Sequence, residues 1–412
     1  MGEILFIGHR IPFPPDRGDK IRSHHVLKRL TGLAPVHVAT FADDEDDRAQ
    51  ETELAMLARS YRLVRRTKSL PLAGIAALAS GRPVSLAAFH DRALAAYVAE
   101  VLRLRPISAI YVFSGQMGQY VPADFTGRVV VDFVDVDSAK FDAYAAGGSY
   151  PMRWVHAREG RLLRREEARL ARRADVSLLI SAEEAALFGE RLPEDARAAA
   201  DVRVLGNGID TQAFDPVLVA PEPRLAGLSG APLIFTGQMD YPPNVAAAVR
   251  AVTRIMPLIR RELPDATFHI VGRKPAAEVL ALDGLNGCRV WGAVDDVRPW
   301  LRAADLALVP LDIARGVQNK VLEAMAMALP VVASPGAATG LAPIGGSQIA
   351  SAARGPALAN AAVSLLRERP RARTMGLAAR RFVEEAHNWQ AVLAPLEGLI
   401  GAPPRARVRH AA

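Results

Sequence analysis

Short apolar runs bounded by turn-forming residues recur along the chain, and each is followed by a longer stretch whose apolar positions fall three and four apart. The runs predict buried strands, and the wider spacing predicts helices with one apolar face. Strands are expected at Glu3–Ile7, Val36–Phe41, Ala109–Phe113, Val129–Val134, Val176–Ile180 and Val202–Leu205. A second set is expected at Leu233–Thr236, Thr267–Val271, Arg289–Trp291, Leu306–Pro310 and Pro330–Ala333. Strands alternating with helices make parallel sheets joined by crossovers, so the class is α/β with two Rossmann-like, doubly wound lobes facing a cleft. Ligands of such sheets sit beyond the carboxyl ends of the strands, which is where chemistry is to be sought.

Asn207-Gly208-Ile209-Asp210, Phe214 and the proline-bearing segment Pro216–Pro223 separate the two sets and suit an interdomain connection. The expected division is a domain over 1–206, a hinge over 207–223, a second domain over 224–385, and a helix and tail over 386–412 that can cross back to the first. At about 150 residues per domain, 412 residues fit this reading. No internal repeat is evident, and the one biased tract is the Ala/Arg/Pro-rich end Ala402–Ala412.

Composition narrows the function. With 50% hydrophobic and 23% charged residues the chain can bury large cores and is not a disordered polymer. The single cysteine, Cys288, excludes a disulfide framework and a Cys-built zinc site, and fits a reducing compartment. Glu3 stands where an export signal carries lysine, the apolar stretch Ile4–Ile7 is short, and no apolar segment is long enough to span a bilayer. The expected location is cytoplasmic. A net charge of +7 permits nucleic acid, anionic lipid or phosphorylated ligands. Arg153, Arg158, Arg161, Arg164, Arg165, Arg169, Arg172 and Arg173 crowd one helical stretch, offset in part by Glu159, Glu166 and Glu167. Aromatics are scarce among them, so no nucleic-acid partner is expected.

The most informative segment runs from Gly316 through Val317, Gln318, Asn319, Lys320 and Glu323 to the strand at Pro330–Ala333. A glycine turn opening a helix turns backbone N–H groups and the helix dipole toward an anion. Lys320 and Glu323 share one face, where the lysine can neutralise phosphate and the glutamate can accept from a ribose hydroxyl. A surface ion pair on an ordinary helix would carry the same spacing. Val271-Gly272-Arg273-Lys274-Pro275 places two cations after a strand, where Arg273 either meets a diphosphate or is solvated. Val131 to Lys140 places acids at another strand end. Asp135 and Asp137 project alike if extended and could orient or deprotonate a hydroxyl; capping and metal binding are the alternatives. His9 ends the first strand and is a candidate cleft residue, whereas His24 and His25 read as packing or surface groups.

Glu323-Ala324-Met325-Ala326 followed by Pro330-Val331-Val332 resembles the donor-binding signature of family 4 glycosyltransferases of GT-B fold. The resemblance implies that Glu323 binds the ribose of a nucleotide sugar. The family's second glutamate, eight positions earlier, is replaced here by Arg315. Leu233–Asn244 is similar to the first strand-to-helix element of the family's donor lobe, without its usual basic pair; Gly237 and Asn244 are its candidates, Asn244 near the ligand or as a helix cap. Arg289–Val297 resembles the strand whose following turn receives the base, implicating the backbone around Trp291 and Val294, with Asp295 or Asp296 as cap and Trp291 equally a core residue. In the first lobe, Pro14–Arg22 stands where related enzymes have a glycine turn against the donor phosphate; Gly18 and the Asp19 amide are candidates, and Arg17, Lys20 and Arg22 would add positive charge.

Asp132–Ser138 together with Ala314–Lys320 resembles a narrower subgroup, the sugar transferases associated with exosortase (PEP-CTERM) and exopolysaccharide gene clusters in bacteria, and this likeness runs over nearly the whole chain. It implies transfer of a sugar from a nucleotide-diphosphate donor to an acceptor hydroxyl in exopolysaccharide or cell-surface glycan synthesis, with retained configuration, no metal and no cofactor beyond the donor substrate. The first domain is then the acceptor side and the second the donor side. Candidate catalytic residues are Asp135, Asp137 and Lys320; candidate donor-binding residues are Gly18, Gly237, Asn244, Arg273, Trp291, Val294, Arg315, Gly316, Val317, Asn319, Lys320 and Glu323. Partners would be the nucleotide sugar and a glycan or lipid-linked sugar acceptor. Arg59, Arg62, Arg65, Arg66 and Lys68 before the apolar stretch Leu70–Ala79 suggest peripheral contact with an anionic membrane face, or else a helical cover on the first lobe. A nicotinamide dehydrogenase is disfavoured because no Gly-x-Gly-x-x-Gly follows the opening strand, and a phosphate-loop hydrolase because no Gly-Lys dipeptide occurs. A noncatalytic nucleotide-sugar-binding or scaffold protein of the same fold is the serious alternative.

Overall fold

The structure is a computed structural model that describes residues 2–312, 317–339, 341 and 346–401. It divides into two compact units, one taking the chain up to Gly206 and again from Leu393, the other Asn207–Val392. Each is built on its own parallel sheet with helices on its faces.

In the first unit the strands are β1 (Glu3–Gly8), β2 (Val36–Ala42), β3 (Ser60–Arg65), β4 (Ile107–Phe113), β5 (Arg128–Val134), β6 (Val176–Leu179) and β7 (Val202–Val204), in the order β3-β2-β1-β4-β5-β6-β7. The second unit has β8 (Pro232–Thr236), β9 (Thr267–Val271), β10 (Cys288–Gly292), β11 (Leu306–Val309), β12 (Val331–Ala333) and β13 (Ala350–Ser351), in the order β10-β9-β8-β11-β12-β13. Strand direction of winding reverses between β1 and β4 and between β8 and β11, so each unit has one switch point where ligands of such sheets collect. Central strands are unbroken apolar runs because helices cover both faces: Ile4 to Ile7 and Val129 to Val131 are fully buried.

Two strands were not expected. β3 sets two arginines among apolar residues and is only partly buried, as a sheet edge allows, and β13 is too short to leave a pattern. The edge position also revises the basic segment before the apolar stretch. Arg65 pairs with Glu45, Arg66 with Asp43 at 2.8 Å, and Lys68 donates to the His90 carbonyl at 2.6 Å, so three of its cations already have partners. Much of the arginine-rich helix Met152–Arg173 is likewise stapled down: Arg164 pairs with Asp142, Arg169 with Glu166 and Arg172 with Asp195, while Arg158 and Arg173 hold backbone carbonyls. Cys288 is a core residue whose thiol burial pushes up to about 12, which removes it from nucleophilic chemistry.

After Val392 the chain returns to the first unit. Leu396, Leu399 and Ile400 are buried, Arg128 donates to the Leu399 carbonyl and Arg29 pairs with Glu397. At the other junction the Ile209 N–H donates to the His387 carbonyl at 2.8 Å within the second unit. Gly208 is pressed against Trp389, where a Cβ would lie 2.8 Å from its Cα.

Candidate functional site

In the second unit the carboxyl end of β8 opens into Gly237, whose φ of 145° suits glycine. A side chain there would also crowd the site, because a Cβ would sit 3.0 Å from Asn244 Nδ2 and 3.1 Å from Lys320 Cε. The turn after β9 presses on the same point: a Cβ on Gly272 would lie 1.7 Å from the Gly237 carbonyl oxygen. The Gly237 N–H donates to Val271 and the Met239 N–H to Arg273, so the two turns are sewn together by backbone. Gly237 therefore supplies room rather than a free amide.

Asn244 is buried in the first turn of the helix Pro242–Arg250. It is not that helix's cap, a position held by Tyr241. Its Nδ2 donates to the Gln238 carbonyl at 2.8 Å and its Oδ1 accepts from Lys320 Nζ at 3.0 Å. Lys320 stands in the first turn of Asn319–Ala326, the helix whose Val321, Leu322, Ala324 and Met325 pack into the core. The ammonium lies 3.5 Å from Gln318 Oε1 and 5.6 Å from the centroid of the Phe235 ring. Its contacts are thus amide oxygens and an aromatic face. Burial lowers its pKa to about 8, against the opposing pull of Glu323. One turn on, burial raises Glu323 to about 7, with Lys320 acting against that rise. A half-buried cation with no ion pair among the described residues, beside a carboxyl near neutrality, is a site arranged for an anionic ligand.

The remaining candidates fall around this cluster unevenly. Arg273 is exposed on the turn after β9, Asn319 is exposed at the helix start, and Val317 and Val294 are partly buried against the core. Arg315 and Gly316 lie outside the described residues. The Trp291 side chain is occupied: its indole N–H donates to His269 Nδ1 at 3.0 Å, its ring packs on Trp300 with centroids 4.8 Å apart, and Arg224 covers both rings. Burial lowers His269 to about 4, keeping the imidazole neutral so that Nδ1 can accept. Trp291 is therefore a packing residue, and only its backbone is left for a ligand. Neither Asp295 nor Asp296 holds the cap of the following helix, which is Val297, although Asp296 accepts the Arg298 N–H at 2.9 Å just ahead of it. Sequence reasoning missed Gly272 and Phe235. A glycine directly after a strand was a signal for the first; nothing marked the second.

In the first unit, Gly18 is the exposed first residue of the helix Gly18–Thr31, with nothing near its Cα that a side chain would meet. The expected free cations beside it are corrected by burial. Lys20 pairs with Asp47 and donates to the Phe13 carbonyl at 2.9 Å. Arg22 makes a two-pronged contact with Asp132 at 2.9 and 3.1 Å and donates to the Leu205 and Gly206 carbonyls. Tyr111 completes that network by donating to Asp132 at 2.7 Å. Both cations are structural. His9 Nε2 lies 3.3 Å from Asp19, whose carboxylate burial would raise but His9 and Arg10 together hold well below its usual range.

The two acids after β5 do not extend side by side as expected. Val134 turns at φ 69°, a costly conformation for a β-branched residue, and a helix begins at Asp137. Asp135 reaches solvent, with burial of its surroundings and the Glu184 and Asp137 carboxylates raising it to about 6. Asp137 instead lines a cavity of about 570 Å³, and burial raises it as well. Among the described residues no group of three or more His, Cys, Asp or Glu is placed to hold a metal ion.

With this geometry in place, comparison with known proteins narrows the reading. Residues 231–368 match the family model of glycosyl transferases group 1. No curated protein matches the chain. Among solved structures, HepE of Anabaena in complex with UDP and glucose is similar with a TM-score of 0.64 and 15% identity, covering 97% of this chain and 100% of that one. Sucrose-phosphate synthase of Thermosynechococcus elongatus gives 0.63 and 17%, covering 97% and 98%. WaaG, a glycosyltransferase involved in lipopolysaccharide biosynthesis, gives 0.61 and 16%, covering 97% and 100%. At these identities the likeness concerns the fold, which is that of GT-B glycosyltransferases.

Proposed function

We propose that this protein is a glycosyltransferase that moves a sugar from a nucleotide-diphosphate donor to an acceptor hydroxyl. The observation that carries the reading is Lys320, held by Asn244 at the mouth of the Gly237 turn with its charge turned to amide oxygens. The anomeric carbon's bond to the diphosphate breaks and its bond to the acceptor oxygen forms. The electron pair leaves with the nucleoside diphosphate, and the hydroxyl proton passes to a carboxylate, with Asp135 and Asp137 the candidates. The barrier is set by charge growing on the leaving diphosphate, which Lys320 and Arg273 meet, while Glu323 accepts from the ribose. Asp135, near 6, is suited to take a proton at neutral pH.

The resemblance of the Glu323–Val332 segment supports assignment to family 4, with retention and without a metal. The likeness of Asp132–Ser138 supports the exosortase-associated subgroup and a role in exopolysaccharide or cell-surface glycan synthesis, in the cytoplasm or at the inner membrane face. Among the described residues no helix is long and apolar enough to cross a membrane. Arg315, where the family carries glutamate, favours one second reading, nucleotide-sugar binding without transfer.

A panel of nucleotide sugars tests both. A donor that stabilises the native state raises the melting temperature in a saturable way. The HepE complexes with UDP and UDP-glucose support beginning with uridine donors. Consumption of the stabilising donor with release of nucleoside diphosphate is expected; binding without consumption, with every acceptor supplied, would select the second reading.

A further inference from the structure

The cavity of the first unit carries chemistry that the second unit's site does not use. Pro71, Ala88, Phe89, Phe141, Met152 and Val155 give it apolar walls, and Asp137, Lys140 and His156 converge on it. Other polar groups of the lining are already engaged. Glu159 accepts the Val84 and Ser85 N–H groups at 2.7 and 2.8 Å and the Ser85 hydroxyl at 2.7 Å, and Arg66 pairs with Asp43 while lying over Phe89. The three convergent groups differ. Among the described residues, neither the Asp137 carboxylate nor the Lys140 ammonium has a hydrogen-bond partner, and His156 Nδ1 is a buried ring nitrogen left unpaired. These three groups, with the Lys140 charge acting on the Asp137 carboxyl but no hydrogen bond fixing either among the described residues, line a largely apolar cavity and suit a ligand with both a phosphate and a hydroxyl near an apolar body.

The surface around the cavity says what that body is. The helix Leu70–Ser80 contains no charged residue. Ala73 and Ala77 are buried beneath it, Pro71 and Gly74 border the cavity, and Leu72, Ile75 and Leu78 stand 60%, 65% and 61% exposed. Met152, also in the lining, is half exposed, and Tyr150 and Trp154 near it in the chain are exposed too. A polar glycan gains nothing from six exposed large apolar side chains, whereas a hydrocarbon chain does. Lys68 precedes the helix, Arg82 follows it and Arg153 lies between Met152 and Trp154, so the apolar surface has a cationic border. That charge favours an anionic lipid and disfavours a second copy of the same basic face.

We propose that this cavity is the seat of a lipid-borne acceptor, with its phosphate at Lys140 and His156, its hydroxyl at Asp137, and its hydrocarbon chain leaving over Leu72, Ile75 and Leu78. The inference rests on the transfer reading for its meaning and adds the class of acceptor.

Dodecyl phosphate below its micellar concentration is the probe, with dodecanol and inorganic phosphate as controls, read by calorimetry on the full chain and compared with UDP in the same preparation. Dodecyl phosphate is expected to bind at least tenfold more tightly than either control. The exposed triple variant Leu72→Ser/Ile75→Ser/Leu78→Ser should lower its affinity at least tenfold. Lys140→Ala should lower affinity for dodecyl phosphate and leave dodecanol unchanged. Vesicles containing phosphatidylglycerol should sediment the wild-type chain, and phosphatidylcholine vesicles should not. Equal binding of inorganic phosphate, or indifference to the triple variant, overturns the proposal. So does a concentration-dependent dimer that the triple variant abolishes, since a second copy would then be the occupant. UDP bound and dodecyl phosphate not bound would sink this inference alone; dodecyl phosphate bound and no nucleotide sugar bound or consumed would sink the transfer reading alone.

Discussion

The two units share a strand order around their switch points and treat buried positive charge in opposite ways. In the first, Lys20 and Arg22 stand on the helix after β1, and each is neutralised by a carboxylate brought from another strand or helix. In the second, Lys320 stands in the first turn of the helix after β11, and among the described residues its contacts are amide oxygens and a ring. A paired buried cation holds a fold together; one left with amides keeps its field for a ligand. The carbonyls of Leu205 and Gly206 under Arg22 show the structural use, and the glycine-lined space above Lys320 shows the binding use. The same fold thus carries different chemistry according to which charges are closed off.

The largest expected effect tests the closed side. Arg22→Ala leaves Asp132 buried and unpaired and should cost about 3–5 kcal/mol of stability. Chemical denaturation of the purified variant measures it; a loss under about 1 kcal/mol would mean the pair is not what holds the first unit. On the open side, Lys320→Ala should keep the fold and slow transfer by ~10²–10³, the effect of removing one group from a developing oxyanion. Steady-state kinetics with the donor found in the panel would show it, and near-normal turnover would erase the contrast between the units.

pH sharpens the comparison, because both perturbed groups of the second unit titrate near neutrality. Glu323 keeps its proton to about 7 in the folded chain against an ordinary 4.5, so the folded state holds more protons across that window and stability falls as pH rises through it. Lys320 loses its proton near 8 against an ordinary 10.5, so above 8 the unfolded state holds more protons and stability recovers as pH rises. Melting curves should show this pair's contribution as a minimum between about 7 and 8, shallower on its acid side in Glu323→Gln and on its alkaline side in Lys320→Met. Nucleoside diphosphate affinity should fall as pH rises past about 8 and become flat there in Lys320→Met. The smallest effect is assigned to Trp291→Phe, which removes one hydrogen bond to His269 and should cost about 1 kcal/mol with nucleotide affinity unchanged. Weakened nucleotide binding would instead put the ring against the ligand.

How far these outcomes were legible in the sequence depends on the range of the interaction. Unbroken runs such as Glu3–Ile7 and Val129–Val134 name buried strands because burial on both faces leaves no polar position. The edge strand Ser60–Arg65 was hidden because it is only partly buried and two arginines interrupt its apolar residues. Lys320 and Glu323 were readable as a pair, since helical spacing alone sets them on one face. That Lys20 and Arg22 would be closed off was not readable, because Asp47 and Asp132 come from 27 and 110 residues away. Asp135 and Asp137 separated for a local reason that still needed tertiary support, the left-handed turn at Val134, whose carbonyl accepts from Ile180 just past the neighbouring strand β6.

The order of apolar and polar residues, on its own, determined two α/β units, the principal strands, and a glycine-and-lysine device ahead of a buried strand. Tertiary structure alone decided which cations stay open, which acid enters the first unit's cavity, and that Gly237, Asn244, Gly272 and Lys320 meet at one point. The physical reason is that periodicity reports which side of a segment avoids water, whereas the free energy of a charge depends on what the rest of the chain places within a few ångströms of it.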